Sequence, residues 1–264
     1  MREPDPAHGM DTTDHPAEEL LPSPRTCPAG EGSRWLGEGF RLFRQDPGVW
    51  ILNLIIFLVI MAIVGTIPIV SLVSALMGPV FMGGLILGCR DQDRGRPLEV
   101  AHVFAGFREQ TGRLVAVGAL NLLAFVLIFL LSMVLTMVFG VNVLESLHVL
   151  ESGGMATAPG TPDPLGILLM WLLMVLMSVP VAMLFWFAPA LVVLHPKLGV
   201  MQALGLSFRG CLHNALPFLI YGLVLLVLGI VASIPFLLGW LVLGPVVIGS
   251  IYASYKDIFL AGEG

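Results

Sequence analysis

The chain has 264 residues, of which 57% are hydrophobic and 12% are charged, whereas a soluble domain has roughly 25% charged residues. A water-soluble fold cannot bury that much apolar surface, so the composition indicates an integral membrane protein. The net charge of −5 comes from acidic residues gathered before Arg34, and no part of the charge pattern favours nucleic-acid binding.

The first 30 residues contain prolines and acidic side chains but no apolar run that could form a signal-peptide core. This composition cannot bury enough apolar surface to fold. We therefore expect a disordered acidic tail over residues 1–30 and a transmembrane domain over residues 31–264. The first apolar span is expected to serve as the targeting element.

Six apolar stretches follow the tail, and each is close to the roughly 20 residues that a helix needs to cross a bilayer core of about 30 Å. The first two and the last two are joined by almost nothing, at Ile67-Pro68 and Ile234-Pro235, and we expect each proline to open the returning helix. The sequence predicts an all-α membrane protein whose six transmembrane helices form three hairpins. The spans lie near residues 49–67, 69–89, 114–140, 165–194, 216–234 and 236–255.

The Lys and Arg residues fix the predicted orientation, because basic residues in short loops near span ends stay on the cytoplasmic side. All of them fall in the N-terminal segment, in alternate connections between spans, or after the last span. The pattern predicts a bacterial inner-membrane protein with both termini in the cytoplasm. Apart from Arg2 and Arg25 in the tail, they are Arg34, Arg41, Arg44, Arg90, Arg94, Arg96, Arg108, Arg113, Lys197, Arg209 and Lys256.

An internal repeat is visible in three predicted cytoplasmic segments, in which Phe40, Phe104 and Phe208 fall in register. One helical face of each segment is apolar, so each is expected to form a short amphipathic helix in the interface, with its aromatic edge in lipid and its arginines toward headgroups. The predicted architecture is three units of interfacial helix plus hairpin. Their approximate bounds are residues 33–95, 98–199 and 200–260.

A small residue followed by proline lies within each returning helix: Gly78-Pro79, Ala188-Pro189 and Gly244-Pro245. Prolines inside spans kink helices, and broken helices can line binding sites in transporters. Kinks are also ordinary packing devices, which is the interpretation we favour. The run of Gly83, Gly84 and Gly88 allows close helix approach, for packing within the chain rather than for dimerisation.

Few residues could bind a metal, form a disulfide or catalyse a reaction. Asp91 and Asp93 resemble the metal-binding pair of nucleotide-sugar transferases, but a salt-bridged cap at a span end is the favoured interpretation. Cys27, Cys89 and Cys211 are too scattered for a disulfide framework or a zinc site and are expected to be reduced. No span carries Asp, Glu, Lys, Arg or His, and we expect no enzymatic activity, no metal and no cofactor.

The segments RWLGEGFRLFRQDPGVW, LGCRDQDRGRPLEVAHVFAGFREQTGRLVAVG, WFAPALVVLH, LSFRGCLHNALPFLIYG and SIYASYKDIF resemble an uncharacterised family of proteobacterial inner-membrane proteins, over roughly residues 30–260. The phrase DRGRPLEVAHVFAGFR, which begins at Asp93, and the ending YASYKDIF are the most specific parts. More remotely, the hairpin pattern is similar to the membrane domain attached to some glycerophosphodiester phosphodiesterases. The resemblance implies a Gram-negative inner membrane and supplies no catalytic residue.

The leading functional hypothesis is a non-enzymatic membrane protein that engages lipid or an envelope protein partner through its three interfacial helices. The alternative is a channel or facilitator for a small uncharged or amphiphilic solute, with Asn53, Asn121 and Tyr221 lining its path. The external loop, residues 141–164, either binds a partner or is a tolerated insertion. The expected lipid or partner contacts are Phe40, Phe104, Phe208, Arg41, Arg44, Arg94, Arg96, Arg108, Arg113 and Arg209.

Overall fold

A computed structural model describes residues 19–66, 68–135 and 164–261, and within these ranges the chain is helical, without a strand. The external loop predicted over residues 141–164 lies almost wholly outside the described residues. The elements in chain order are α1 (Glu31–Gln45), α2 (Pro47–Gly65), α3 (Pro68–Asp93), a 3-10 helix (Val100–Phe107), α4 (Thr111–Leu135), α5 (Pro164–Phe185), α6 (Ala188–Leu194), α7 (Val200–His213), α8 (Ala215–Ser233) and α9 (Trp240–Phe259).

Four helical stretches in the described part of the chain are long and apolar enough to cross a membrane. Their large apolar side chains are widely exposed, for example Leu127 at 56%, Leu176 at 63% and Leu226 at 61%. A soluble protein rarely exposes contiguous apolar surface of this extent, so the exposure supports an all-α membrane protein. The stretches are Pro47–Gly65, Thr111–Leu135, Trp171–Leu194 and Ala215–Ser233.

The predicted second and sixth spans correspond to α3 and α9, which are not among those four stretches. Both helices pack inside the bundle: Val80 and Ile86 of α3 and Tyr252 and Tyr255 of α9 are buried. Inner helices carry small and polar residues for close packing, and both end in charged residues, which lowers their mean hydropathy. The six-span arrangement therefore stays a prediction.

Prolines act differently at the predicted turns. Pro68 begins α3, as expected for a proline in the first turn. The expectation that Pro235 opens the last helix is wrong, because α9 begins at Trp240 after a turn in which Phe236 and Leu237 have φ of 51° and 66°. Pro189 also differs from a midspan kink. It lies in the first turn of the separate helix α6, after a break at residues 186 and 187.

Two short helices pack backbone to backbone on the long helices α9 and α3. A Cβ at Gly39 of α1 would overlap the carbonyl oxygen of Val246 and lie 2.7 Å from the backbone nitrogen of Ser250 in α9. A Cβ at Gly106 in the 3-10 helix would overlap the carbonyl oxygen of Val80 and lie 3.2 Å from the backbone nitrogen of Gly84 in α3. Such contacts require glycine.

The two glycine contacts are equivalent, because their partners stand one and five residues after the prolines at 245 and 79. This comparison aligns Gly39 with Gly106 and therefore Phe40 with Phe107. The sequence alignment instead pairs Phe40 with Phe104, three residues earlier. The repeat stays a prediction, and the contacts favour this other register for its first two units.

The third short helix, α7, uses a hydroxyl group instead of a glycine. Ser207 Oγ accepts a hydrogen bond of 3.0 Å from the backbone N–H of Phe187 and donates one of 2.7 Å to the carbonyl oxygen of Met183. These two groups flank the break between α5 and α6. The 3-10 helix thus packs on α3, α7 on α5 and α6, and α1 on α9, so that the first short helix docks on the last helix of the chain.

Residues 19–30 form an N-terminal strap along the end of α9, whereas the composition predicts a disordered tail over residues 1–30. The backbone N–H groups of Leu21 and Arg25 donate to the carbonyl oxygens of Phe259 and Ile258, each at 2.8 Å. The buried Asn214 accepts from the backbone N–H of Cys27 at 2.7 Å and donates to the carbonyl oxygen of Arg25 at 2.9 Å. Composition does not reveal these backbone pairings, and residues 1–18 lie outside the described residues.

Candidate lipid-contact surface

The basic residues of the described chain lie at one end of the bundle, which we call the basic end. It comprises the strap, α1, the end of α3 with the segment that leads through the 3-10 helix to the start of α4, the connection from α6 to α7, α7 itself and the last turn of α9. Arg41 pairs with Asp93 at 3.3 Å and Arg34 with Asp257 at 2.8 Å, which joins α1 to α3 and α9. The described residues hold 12 of the 13 basic and 9 of the 18 acidic residues, a net charge of +3. The described part of the chain therefore has a positive net charge, although the whole chain is negative.

Helix α1 has one face docked on the bundle and one face exposed. Trp35 is fully buried and Leu42 nearly so, and the Trp35 ring lies 5.2 Å from the Phe218 ring, centroid to centroid. Phe40 is 45% exposed, and the Arg44 guanidinium lies 5.9 Å from the centroid of its ring. Arg44 stands in the last turn, where a cation interacts favourably with the helix dipole. The open face thus presents an aromatic ring with a guanidinium stacked on it.

A polar cleft of about 220 Å³ lies between α1 and the ends of α3 and α9. Asp93 pairs with Arg41 and Lys256, and Asp257 accepts a 2.8 Å hydrogen bond from Trp35 Nε1 as well as pairing with Arg34. A hydrogen bond to Glu38 raises the pKa of Arg41. The charges in this cleft therefore hold helices together, and each carboxylate of Asp93 and Asp257 is already paired with a cation.

The second expected contact is a 3-10 helix of eight residues rather than an α-helix. Phe104 and Phe107 are 42% and 38% exposed, and their rings lie 6.2 Å and 5.1 Å from the ring of Phe81 in α3. Arg108 follows directly and is exposed. Both Phe rings are therefore packed partly on the bundle and partly exposed, and an exposed arginine follows them in the chain.

In α7 the structure moves the exposed apolar surface away from Phe208, which is only half-exposed. Met201 at 67% and Leu212 at 54% are the exposed apolar side chains, and Arg209 is exposed on the same helix. Burial raises the pKa of the Cys211 thiol to about 12, so this group is neutral at ordinary pH. The register of the three phenylalanines predicted a helix around Phe208, but it did not predict that Met201 and Leu212 are the exposed apolar side chains.

The remaining predicted contacts are engaged within the chain. Arg96 pairs with Asp91 at 3.7 Å, and Arg113 donates to the carbonyl oxygen of Pro196 at 2.7 Å. Arg94 follows α3 and is half-buried. With Arg41, these residues are held by protein partners, which leaves Arg44, Arg108 and Arg209 as the open arginines among the predicted contacts.

The favoured interpretation of Asp91 and Asp93 as a salt-bridged cap is confirmed. Asp91 contacts Arg90, Arg96 and, at 3.3 Å, His102 Nε2. In residues 19–66, 68–135 and 164–261 no group of three His, Cys, Asp or Glu side chains could hold a metal ion.

A buried hydrogen-bonded chain at the start of α2 was not evident from the sequence. Trp50 Nε1 donates to Gln92 Oε1 at 2.9 Å, Gln92 Nε2 donates to Asp46 Oδ2 at 3.1 Å, and the same oxygen accepts from the backbone N–H of Leu98 at 3.3 Å. It fixes the corner between α1 and α2 against the end of α3. A proline following Asp46 was the only local signal.

Two residues of the alternative solute path are bonded to protein. Asn53 is fully buried and donates to the carbonyl oxygen of Glu99 at 3.3 Å, whereas Tyr221 shares a 2.8 Å hydrogen bond with Ser250. The two side chains therefore serve separate contacts, one between α2 and the 3-10 segment and one between α8 and α9.

The chain is similar to a protein from Burkholderia thailandensis described as a probable inner membrane protein. The two are 29% identical over 208 residues, which cover 74% of this chain and 72% of that relative. No protein-family description matches the chain, and no solved structure matches it. The relative and the apolar helices together support a multi-pass inner-membrane protein, whereas the similarity to the phosphodiesterase membrane domain has no support among the matches.

Proposed function

We propose that this chain is a six-span, non-enzymatic inner-membrane protein that binds the headgroups of anionic phospholipids at its basic end, with both termini in the cytoplasm. One observation carries the proposal. Each of the three short helices at that end leaves large apolar side chains exposed and carries, or is directly followed by, an exposed arginine: Phe40 with Arg44 in α1, Phe104 and Phe107 before Arg108, and Leu212 and Met201 on the helix of Arg209.

This pairing suits the boundary between headgroups and acyl chains. An apolar side chain gains by entering the acyl region, while the long arginine stem lets the guanidinium reach a phosphate. Each basic residue near an anionic leaflet contributes about 1 kcal/mol, which corresponds to about fivefold in association. The exposed apolar side chains and the arginines keep their relative positions because each short helix is docked on longer helices.

Open and engaged arginines should contribute differently. Arg41 already interacts with Glu38 and Asp93, and Arg113 with a backbone carbonyl. Moving Arg41 to a phosphate would leave Glu38 without its cation, and moving Arg113 would take a donor from the carbonyl oxygen of Pro196. The lipid contact is therefore assigned to Arg44, Arg108 and Arg209.

The experiment compares the association of spin-labelled phosphatidylglycerol and phosphatidylcholine with the full chain in phosphatidylcholine membranes. The unaltered chain should prefer phosphatidylglycerol. Each of Arg44→Gln, Arg108→Gln and Arg209→Gln should lower that preference by at most about fivefold, and the triple variant should nearly abolish it.

Lys197→Gln is the matched control, because Lys197 is an exposed cation in the same region and is not one of the assigned contacts. It should change the preference less than any of the three arginine variants. A triple variant that still selects phosphatidylglycerol would refute the assigned contact surface, and equal association of both lipids with the unaltered chain would refute the proposed function.

A further inference from the structure

The strap places the start of the chain on the proposed lipid-binding end. The backbone N–H of Ala261 donates to the carbonyl oxygen of Glu19 at 3.2 Å, and Leu20 pairs with Leu260. Residues 1–18 are therefore tethered at their C-terminal side beside the end of α9.

Helix α7 is the proposed contact element beside this tether. Asn214, which follows α7, binds the carbonyl oxygens of Gly210 in α7 and Arg25 in the strap, each at 2.9 Å. Arg209 precedes Gly210 and is exposed. Among the described residues neither Arg209 nor Lys197 pairs with a carboxylate.

The tethered residues and the surface beside them have opposite charge. Residues 1–18 hold one arginine and five acidic residues, a net charge of −4, and the described residues carry +3. The acidic residues are Glu3, Asp5, Asp11, Asp14 and Glu18.

Reach does not limit an encounter between them. Eighteen residues span at most about 60 Å at roughly 3.3 Å each, and a bundle with helices about 10 Å apart is some 30 Å across. A tether of this length gives an effective concentration on the order of 1 mM. An anionic segment at that concentration competes with anionic headgroups for the same cations.

We propose that residues 1–18 are an internal acidic competitor that occupies Arg209, the exposed arginine of α7, and lowers the affinity of the basic end for anionic lipid. This rests on the proposed lipid-binding function and gives it a regulator. If the isolated segment has a Kd of about 0.1 mM, an effective concentration of about 1 mM keeps Arg209 about 90% occupied. This lowers the apparent lipid affinity by up to about fivefold, the contribution of one arginine.

The lipid experiment uses two variants of the full chain. One lacks residues 2–18. The other keeps its length and carries the five substitutions Glu3→Gln, Asp5→Asn, Asp11→Asn, Asp14→Asn and Glu18→Gln. Both should raise phosphatidylglycerol association several-fold at about 50 mM salt, and the gain should shrink near 0.5 M salt because screening weakens the competition. The uncharged control, Thr12→Ser with Thr13→Ser, should match the unaltered chain.

A second measurement needs no lipid. A labelled peptide of residues 1–18 is titrated onto the deletion variant in neutral detergent, and it should bind with a Kd of about 1 mM or tighter, more weakly after Arg209→Gln. No binding, or binding that Arg209→Gln leaves unchanged, overturns the inference whatever the lipid result.

The two proposals fail in distinguishable ways. If the unaltered chain selects phosphatidylglycerol and the tail variants select it equally, the competitor is refuted and the lipid function stands. If no variant selects phosphatidylglycerol, the lipid function is refuted, and the peptide titration alone then decides whether the segment docks.

Discussion

Replacing Gly39 by alanine tests the docking of α1 on α9. The added Cβ would overlap the carbonyl oxygen of Val246 and lie 2.7 Å from a backbone nitrogen, so neither neighbour can swing aside as a side chain could. Overpacking of this kind costs about 1–3 kcal/mol, and the rigid neighbours favour the upper value. The helix preference of alanine over glycine returns up to about 1 kcal/mol. Gly39→Ala should therefore lower the free energy of unfolding by about 2 kcal/mol.

Gly37→Ala is the matched control. Gly37 lies in the same helix, about 200° around its axis from Gly39, and a Cβ there has no heavy atom within 4 Å. This variant should be stabilised by up to about 1 kcal/mol, which opens a gap of about 3 kcal/mol between two otherwise identical changes.

The assay is denaturant unfolding in detergent, followed by tryptophan fluorescence. Trp35 is fully buried against α8, so undocking of α1 should also shift its emission to the red. Equal stability of the two variants would refute the backbone contact between α1 and α9. The same comparison applies to Gly106→Ala, which meets α3, and Gly112→Ala, which meets open space.

Three further predictions follow from other parts of the chain. A reporter active only in the periplasm should be silent when fused after Gly264 and active when inserted near Gly154, and signal at Gly264 would overturn the predicted orientation. Asn214→Ala removes a buried group that bonds the strap; it should cost about 1–3 kcal/mol and speed tryptic cleavage after Arg25, and unchanged cleavage would contradict the strap. Burial raises the pKa of the Cys27 thiol above 9.0, so the folded chain keeps that proton to higher pH than the unfolded chain. The free energy of unfolding should then fall as the pH rises above 9.0. Cys27→Ala should remove this contribution to the slope of unfolding free energy against pH, measured between about pH 8 and pH 10. An unchanged slope would contradict the burial of this thiol.

The sequence predicted those structural features that depend on neighbouring residues in the chain. Pro68 marks the start of α3 because a proline in the first turn loses no hydrogen bond. Asp93 at the end of a span indicated an ion-paired cap, but its partners Arg41 and Lys256 stand 52 and 163 residues away, and only the tertiary fold reveals them.

Other features left no readable signal in the sequence. Phe236 and Leu237 adopt positive φ without being glycine or asparagine, so no turn preference predicts the late start of α9. The strap has the composition of a disordered tail, and its order comes from backbone groups that pair with the end of α9 and with Asn214. Composition records side chains, whereas this contact is mostly backbone.

The docking of the short helices also determines the candidate lipid surface. Gly32 and Gly39 stand seven residues apart, so they lie on one face of α1, and a Cβ at either would overlap backbone of α8 or α9. With that face fixed, Phe40 and Arg44 are turned outward, as their exposure shows. In α7 the inward residue is Ser207, and Met201, Arg209 and Leu212 point away. Sequence register alone ranked Phe208 with Phe40 because both are aromatic. The inward contact is the better guide, since a residue that must touch backbone fixes the rotation of its helix, and that rotation decides which side chains are exposed.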